Sequence, residues 1–205
     1  MTLTPVEPTI KSRPVYAPLE PRPGHLHLII ADGEGADAVT DMLAKTSDAG
    51  QLLASAHLMY CPGPNGTDLT ERLRALGALQ FFRAPTIPAL LPRLKRVLVD
   101  AHMGSQFYLA GTEGLCGQAE TAIMQTGFPA SAIQKEHRGS TVRRVQCVHC
   151  KGITENVATD PFQCSHCGLS LFVRDHYSRR LAAFQGVNID AEDPGDVPPS
   201  VVRFK

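Results

Sequence analysis

Two closely spaced pairs of cysteines constrain this chain more than any other feature of its sequence. The pairs are Cys147-Val-His-Cys150 and Cys164-Ser-His-Cys167, and thirteen residues separate them. A tight turn in each Cys-x-x-Cys unit directs two thiolates toward one ion, and two such turns joined by a short hairpin complete a tetrahedral site. The connecting segment KGITENVATDPFQ has the β-branched residues and the Asp-Pro turn that a hairpin requires. The sequence therefore predicts a four-cysteine metal site in a small ribbon domain.

Zinc is the predicted metal, and iron is the alternative, since both ions accept four thiolates. Rubredoxin-like iron sites resemble this one, but their two cysteine turns lie farther apart in sequence and pack aromatic residues around the metal. Here Phe162 is the one aromatic residue between the turns. Four thiolates leave no open position for water or substrate, so we expect a structural site. His149 and His166, at equivalent positions in the two turns, are therefore predicted not to be ligands.

Residues 25–139 alternate between short apolar runs, glycine-containing turns and helical patterns. The predicted strands and helices are, in chain order, strands near 25–31, 54–61, 78–82, 106–111 and 133, and helices following Gly35 and over 67–76, 86–103 and 115–126. This alternation predicts an α/β fold, in which a parallel sheet carries helices on both faces. Sheets of this kind bind ligands at the carboxyl ends of their strands, where both glycine turns would lie.

The glycine turns are the candidate cofactor-binding positions, through Gly33, Gly35 and Gly111. Backbone N–H groups of such turns can hold a phosphate. However, Asp32, Glu34 and Asp37 place three carboxylates where that anion would sit. Because like charges repel, the first turn is better explained as a requirement of the fold than as a phosphate site.

Composition bounds the partners and the compartment. Lys plus Arg and Asp plus Glu both number 20, and a neutral chain gives no general argument for a nucleic-acid or membrane partner. No apolar run is long enough for a bilayer, and the first residues do not have the pattern of a secretion signal. Cys61 and Cys116 stand alone in apolar surroundings and are predicted to be buried thiols. We therefore expect a cytoplasmic protein.

Four segments are predicted from these changes of pattern. Residues 1–24 carry six prolines and form an extended arm, which is either disordered or a strap that orders against a partner. Residues 25–139 form the α/β domain. Residues 140–195 form the ribbon and a segment for docking, and residues 196–205 form a tail.

The α/β domain resembles the nicotinamide-binding domain of ferredoxin reductase-type flavoprotein reductases. In those enzymes the first glycine turn ends in Thr-Pro, whereas the corresponding positions here are Asp37 and Ala38. A later strand of those enzymes ends in Cys-Gly-Pro, and here it ends in Ala110-Gly111-Thr112. We expect no flavin-binding barrel before the domain. The resemblance implies a reductase fold that has lost its cofactor.

The whole chain resembles the DmmA-like small subunits of bacterial dimethylamine monooxygenase, which is also called haem-dependent oxidative N-demethylase. The most specific stretch runs from Cys164-Ser-His-Cys167-Gly168 into VRDHYSRRLAAFQGV at residues 173–187. The resemblance implies a complex that uses NADPH and oxygen to convert dimethylamine to methylamine and formaldehyde. It implies partner subunits that carry haem, a flavin (FMN) with a 2Fe-2S cluster, and tetrahydrofolate. The role that it implies for this chain is assembly.

Partner docking is predicted at Arg174, His176, Tyr177, Arg179 and Arg180, since Arg and Tyr are enriched at interfaces. On a helix, Asp175 and Arg179 would pair, and the same helix would equally well pack the ribbon onto the first domain. Two other functions stay open: an NADPH-binding or electron-relay component of the oxygenase system, with iron at the four cysteines in one version, and a ribbon that binds nucleic acid.

Overall fold

The computed structural model describes residues 12–63 and 68–205. These residues form two compact units, one of residues 15–141 and one that combines residues 12–14 with residues 142–205. The boundary expected at residue 24 differs from that of the units, because part of the proline-rich arm belongs to each unit, and the boundary expected at residue 139 lies two residues before the one observed. Residues 1–11 of that arm, and the predicted start of a helix at residue 67, lie outside the described residues.

The unit of residues 15–141 contains a parallel sheet of five strands. The strands are β1 (Leu26–Asp32), β2 (Ala56–Cys61), β3 (Gln80–Arg83), β4 (Ser105–Gly111) and β5 (Ile133–His137). They lie in the order β3-β2-β1-β4-β5, and each neighbouring pair is parallel. The α/β fold predicted from the alternating pattern is confirmed.

Helices cover both faces of this sheet. They are α1 (Gly35–Ala44), α2 (Ala49–Ala54), α3 (Thr70–Arg74), α4 (Ile87–Leu98) and α5 (Glu113–Met124). Alternate residues of β1 enter two separate cores: Leu28 and Ile30 pack with α4 and α5, whereas Ile29 and Ala31 pack with α1, α2 and α3. This period of two explains why residues 28–31 of β1 are all apolar, as expected for a parallel strand buried on both sides.

Helix α4 begins at Ile87 and ends at Leu98, within the range of 86–103 predicted from the sequence. Thr86 caps it by accepting a hydrogen bond from the N–H of Ala89, and Pro88 lies in the first turn, where its missing N–H costs nothing. Pro92 lies inside the helix and does not start it. The buried stripe of Leu90, Leu94 and Val97 holds the helix on the sheet despite that proline.

The second part of the proline-rich arm, residues 15–24, is a strap on this unit. Leu19 is fully buried in the core that contains α1. The N–H of Ala17 donates to the carbonyl of Lys135 (2.9 Å), and the N–H of Leu19 donates to the carboxylate of Glu136 (2.7 Å). The strap therefore orders within this chain, on strand β5.

The other unit is built on a mixed sheet. Its strands are β6 (Arg143–Cys147), β7 (Ile153–Val157), β9 (Phe162–Gln163), β10 (Ser170–Ser178) and β11 (Ala183–Asn188), in the order β7-β6-β11-β10-β9. Two short strands, β8 (Thr159–Asp160) and β12 (Val201–Val202), pair with each other. The segment RDHYSRR, considered as a helix in the sequence, is instead the end of β10 and the turn into β11.

Both ends of the described chain add to this second unit. Ser12 forms an isolated bridge with His176 on β10. Phe204 is buried in the core, where the guanidinium of Arg143 lies 4.3 Å from the centre of its ring and 4.0 Å from that of Phe184. Arg143 thus joins the tail to the sheet through two cation–π contacts.

Among the described residues, no helix combines the length and the apolar character needed to cross a bilayer.

Candidate metal centre

The two Cys-x-x-Cys turns have the same backbone structure. In the first, the N–H of Lys151 donates to the carbonyl of Cys147 (3.0 Å), and the N–H of Cys147 donates to the carbonyl of Gly152 (2.9 Å). In the second, Gly168 and Leu169 take the places of Lys151 and Gly152, with distances of 3.0 and 2.9 Å. Each turn closes on a left-handed residue, with φ of 64° at Lys151 and 75° at Gly168. The sequence signal for paired turns thus corresponds to a repeated structure.

These turns bring together all four predicted ligands. The sulfur atoms of Cys147, Cys150, Cys164 and Cys167 lie within 4.8 Å of one another, and the cysteines are not disulfide-bonded. Two of the separations are 3.9 Å (Cys147 to Cys167) and 3.7 Å (Cys150 to Cys164). A tetrahedral ion with metal–sulfur bonds of ~2.3 Å requires sulfur atoms about 3.8 Å apart. The cluster is therefore able to hold one ion with four thiolate ligands.

The charge balance of the cluster also favours a cation. Burial by itself raises the pKa of Cys164, but the backbone N–H groups of Cys167 and His166 donate to its sulfur, and the pKa falls to about 6. At Cys167 the N–H of Leu169 lowers the pKa, but burial and the neighbouring sulfurs outweigh it and bring the pKa to about 12. Four adjacent thiols thus resist full deprotonation unless a positive ion compensates their charge.

His166 supports the cluster from outside. Its Nε2 donates to the carbonyl oxygen of Ile153 (2.9 Å), and its ring lies directly on Gly152, where a Cβ would come within 2.4 Å of the ring. The imidazole therefore holds the turn of the second pair against the strand that leaves the first. The exposed His149 belongs to no group of potential ligands among the described residues.

The glycine turns lie where the sequence placed them, at the carboxyl edge of the parallel sheet. Gly33 and Gly35 follow β1, and Gly111 ends β4. They are not arranged around an open space, since a Cβ on Gly35 would lie 2.1 Å from the carbonyl oxygen of Ala110. The sequence analysis named Asp32 as a carboxylate of the first turn but missed that it joins the two turns through Thr112.

Four of the five predicted docking residues are exposed: Arg174, His176, Arg179 and Arg180. The fifth, Tyr177, is buried, and its ring packs edge-on against Phe184 at 5.1 Å. Asp175 does not pair with Arg179 as a helix would require; it accepts from Arg13 and from Arg143 (2.9 Å). Burial would raise the pKa of Asp175, but these two guanidinium groups hold it below its usual range.

Cys61 and Cys116 are buried thiols, as predicted. Burial, with a further contribution from the Asp32 carboxylate, raises the pKa of Cys61 to about 12 and that of Cys116 well above its usual value. Neither residue has the character of a nucleophile.

Comparison with known proteins identifies relatives of both units. Two models of one family, described as dimethylamine monooxygenase subunit DmmA-like, match the chain, with the N-terminal domain at residues 8–133 and the C-terminal domain at residues 144–187. A curated relative, the heme-dependent oxidative N-demethylase delta subunit of Ectopseudomonas mendocina (strain ymp), is 29% identical over 146 residues, which are 69% of this chain and 83% of that protein.

Solved structures with a similar course of the chain are larger proteins. Phthalate dioxygenase reductase has a TM-score of 0.45 and 18% identity, over 71% of this chain and 47% of that one. The FAD/NAD-binding domain of nitric oxide dioxygenase from Vibrio cholerae O1 biovar El Tor has a TM-score of 0.41 and 15% identity, over 62% and 56%. The chain thus spans about half the length of these two proteins.

The family match is the stronger finding, because it extends over both units and includes the four-cysteine cluster. The chain belongs to the DmmA-like family of dimethylamine monooxygenase subunits.

Proposed function

We propose that this chain is a non-catalytic docking subunit of a complex that uses NADPH and oxygen to demethylate dimethylamine to methylamine and formaldehyde. The observation that carries the proposal is the closed cluster of four thiols, which leads directly into an exposed basic turn. The family and the delta subunit of the N-demethylase from Ectopseudomonas mendocina support it. Haem, FMN with the 2Fe-2S cluster, and tetrahydrofolate would be bound by partner subunits, and the complex would be cytoplasmic.

The metal in this proposal is one structural zinc ion. Four thiolates at tetrahedral separation suit zinc and leave no position for a substrate. The core of this unit is small, so metal binding would supply much of its stability. The role of the ion is then to fix the strand that follows it.

The surface that we assign to docking is called the basic turn, and it consists of Arg174 and His176 at the end of β10 with Arg179 and Arg180 in the turn that follows. Strand β10 begins two residues after Gly168, so one end of the strand is fixed by the metal cluster and the other end leads into this turn. On one edge β10 pairs with β11, and on the other Ser12 accepts from the N–H of Tyr177 (2.9 Å) and donates its own N–H to the carbonyl of Asp175 (3.1 Å). The turn is therefore held in one conformation before a partner arrives, which lowers the entropic cost of binding.

The charge of the basic turn indicates an acidic partner surface. Asp175 is the one carboxylate of the segment, and Arg13 and Arg143 already neutralise it. Arg174 and Arg180 are exposed and therefore present positive charge, of the kind that steers association with a partner of opposite sign.

Reversal of this charge tests the proposal. We expect Arg174→Glu with Arg180→Glu to release the chain from its complex, as seen by co-purification of haem and flavin subunits from the native cell, and to reduce dimethylamine demethylation in parallel. The matched control is Lys95→Glu with Arg96→Glu, which makes the same charge change on the exposed side of α4 and should keep the complex intact. Co-purification and demethylation that are unchanged in the first variant, or in a strain that lacks the chain, contradict the proposal.

A further inference from the structure

The carboxylate of Asp32 joins the ends of two adjacent strands. It lies at the end of β1, is 2% exposed, and accepts two hydrogen bonds from Thr112, which follows β4. The N–H of Thr112 donates to Oδ1 (2.7 Å), and the hydroxyl donates to Oδ2 (2.6 Å). Both carboxylate oxygens are thus used by a residue eighty positions later in the chain.

These contacts place a negative charge at the start of helix α5. Thr112 is the residue that caps this helix, since its hydroxyl oxygen accepts from the N–H of Leu115 (3.3 Å). Helix starts of this kind hold phosphate groups in nucleotide-binding α/β proteins, because backbone N–H groups and the helix dipole favour an anion. Here the anion at that position is a side chain of the protein itself.

The close approach of the two glycine turns is a second feature of this edge. A Cβ on Gly111 would lie 1.8 Å from Oδ1 of Asp32, and Gly35 touches the backbone of Ala110, so the two glycine turns are in contact. The glycines serve this close approach and not the approach of a ligand. A cavity of about 620 Å³ in this unit lies at the opposite, amino-terminal edge of the sheet, next to His27 and Ser55.

Further carboxylates lie on the same turn. Asp37 is paired with Arg72 (2.6 Å), whereas Glu34 lies beside Gly139. A pyrophosphate that approached this edge would therefore meet the negative charge of the exposed Glu34 as well as the two packed glycine turns.

We propose that Asp32 is a built-in substitute for a ligand phosphate: it occupies the anion-binding start of α5, locks β1 to β4, and leaves the carboxyl edge of this sheet without a nicotinamide nucleotide site. The fold of the unit would imply such a site, but the residues at this edge do not fit it. The proposal concerns the isolated chain and stands apart from the docking role, whose test is co-purification.

The native chain provides the first test. NADPH is titrated into the full chain while the amide resonances of Thr112 and Gly35 are followed by NMR. We expect no saturable shift of either resonance up to ~1 mM NADPH, a concentration at which even a weak site of Kd ~1 mM would be half filled. A saturable shift of the Thr112 amide overturns the proposal.

The second test removes the Asp32 carboxylate from the start of α5. Asp32→Ala leaves the two donors of Thr112 unpaired and should lower the Tm by about 5 °C or more. If the start of α5 is an anion seat, sodium formate should then raise the Tm of this variant more than sodium chloride of equal ionic strength does, and should do so neither in the native chain nor in Glu34→Ala. Equal effects of formate on all three proteins contradict the proposal; if Asp32→Ala does not fold, the native titration decides.

Discussion

At the scale of single residues, Asp32 shows that a buried carboxylate can make a structural contact and still lower the stability of the protein at neutral pH. Burial raises the pKa of this carboxyl to about 6, although the N–H and hydroxyl of Thr112 both act to lower it. A carboxyl whose pKa is raised in the folded protein binds its proton more tightly there than in the unfolded chain. The stabilisation that comes from this tighter proton binding is therefore complete below about pH 4 and is lost as the pH rises through 6. The two-unit rise corresponds to ~3 kcal/mol.

Asp32→Asn should remove this pH dependence. The amide keeps an acceptor for the N–H of Thr112 and has no charge to desolvate, so its stability relative to the native chain should rise by up to ~3 kcal/mol between pH 4 and pH 7. Urea unfolding at several pH values, followed by the helical circular dichroism signal, measures this difference. Profiles for the two proteins that run parallel across this range would show that the carboxyl ionises as freely as in the unfolded chain.

The left-handed residue that closes each cysteine turn gives a second prediction. Gly168 has φ of 75° and open space around its Cα, so Gly168→Ala tests backbone strain alone. We expect a loss of about 1 kcal/mol in the free energy of unfolding of the metal-bound chain. Gly50→Ala is the matched control: it lies in α2, also in open space, and should increase stability by about 0.5–1 kcal/mol. A stabilising effect at Gly168 would contradict the role of this backbone conformation.

At the scale of elements, the strap is an irregular segment that binds to strands β4 and β5 without forming a strand of its own. Polar groups of β5 and β4 bind its backbone: the amide oxygen of Gln134 accepts from the N–H of Glu20 (2.9 Å), and the hydroxyl oxygen of Tyr108 accepts from the N–H of Arg22 (3.0 Å). Such side-chain acceptors are needed because the prolines of the strap prevent a continuous ladder. The strap belongs to the fold and does not wait for a partner to order it.

Leu19 is the position at which the strap can be tested. It is fully buried, so Leu19→Ala should cost ~2–4 kcal/mol through lost burial and the cavity that remains. Val15→Ala, at a strap position that is 78% exposed, should change stability by less than about 0.5 kcal/mol. Chemical unfolding distinguishes the two, and a similar small effect of both substitutions would mean that the strap does not contribute to the core.

The sequence predicted well the elements that have a repeating pattern within a short segment, and poorly the features that depend on contacts between residues far apart in sequence. The strand–turn–helix alternation gave the parallel sheet, and cysteine spacing gave the cluster, because both patterns are local. The segment around Tyr177 was wrongly considered as a helix, although Leu171, Val173 and Tyr177 point inward at even spacing, as a strand requires. The Asp32–Thr112 contact was missed because it depends on β1 and β4 being neighbours, which no local pattern reveals.

At the scale of the whole molecule, helices and metal cluster lie in different units. All the helices among residues 12–63 and 68–205 are in the unit of residues 15–141, whereas the four cysteines are in the other. Metal removal should therefore act on one unit and leave the helical signal of the other. This separation makes the contribution of the ion measurable in the intact chain.

A zinc chelator at neutral pH should remove one equivalent of zinc and collapse the β-rich unit, seen as loss of dispersed amide resonances from residues 142–205, while helical circular dichroism persists. Cys150→Ser should have the same effect, because a hydroxyl is a poor ligand for zinc. Cys61→Ser, which changes a buried thiol outside the cluster, should keep the full metal content. Iron in place of zinc, found by elemental analysis together with visible absorption, would exclude the structural zinc proposed here.

The bridge from Ser12 to His176 has a consequence for how the protein is made. The cysteine-containing unit needs Ser12 and Arg13, then the entire α/β unit intervenes in sequence, and Phe204 is added last. Domains fold in the order in which they emerge from the ribosome. The α/β unit can thus finish folding during translation, whereas the ribbon closes only at the end. During most of synthesis its four thiols are either not yet made or not yet brought together, so we expect the metal to bind only after the chain is complete.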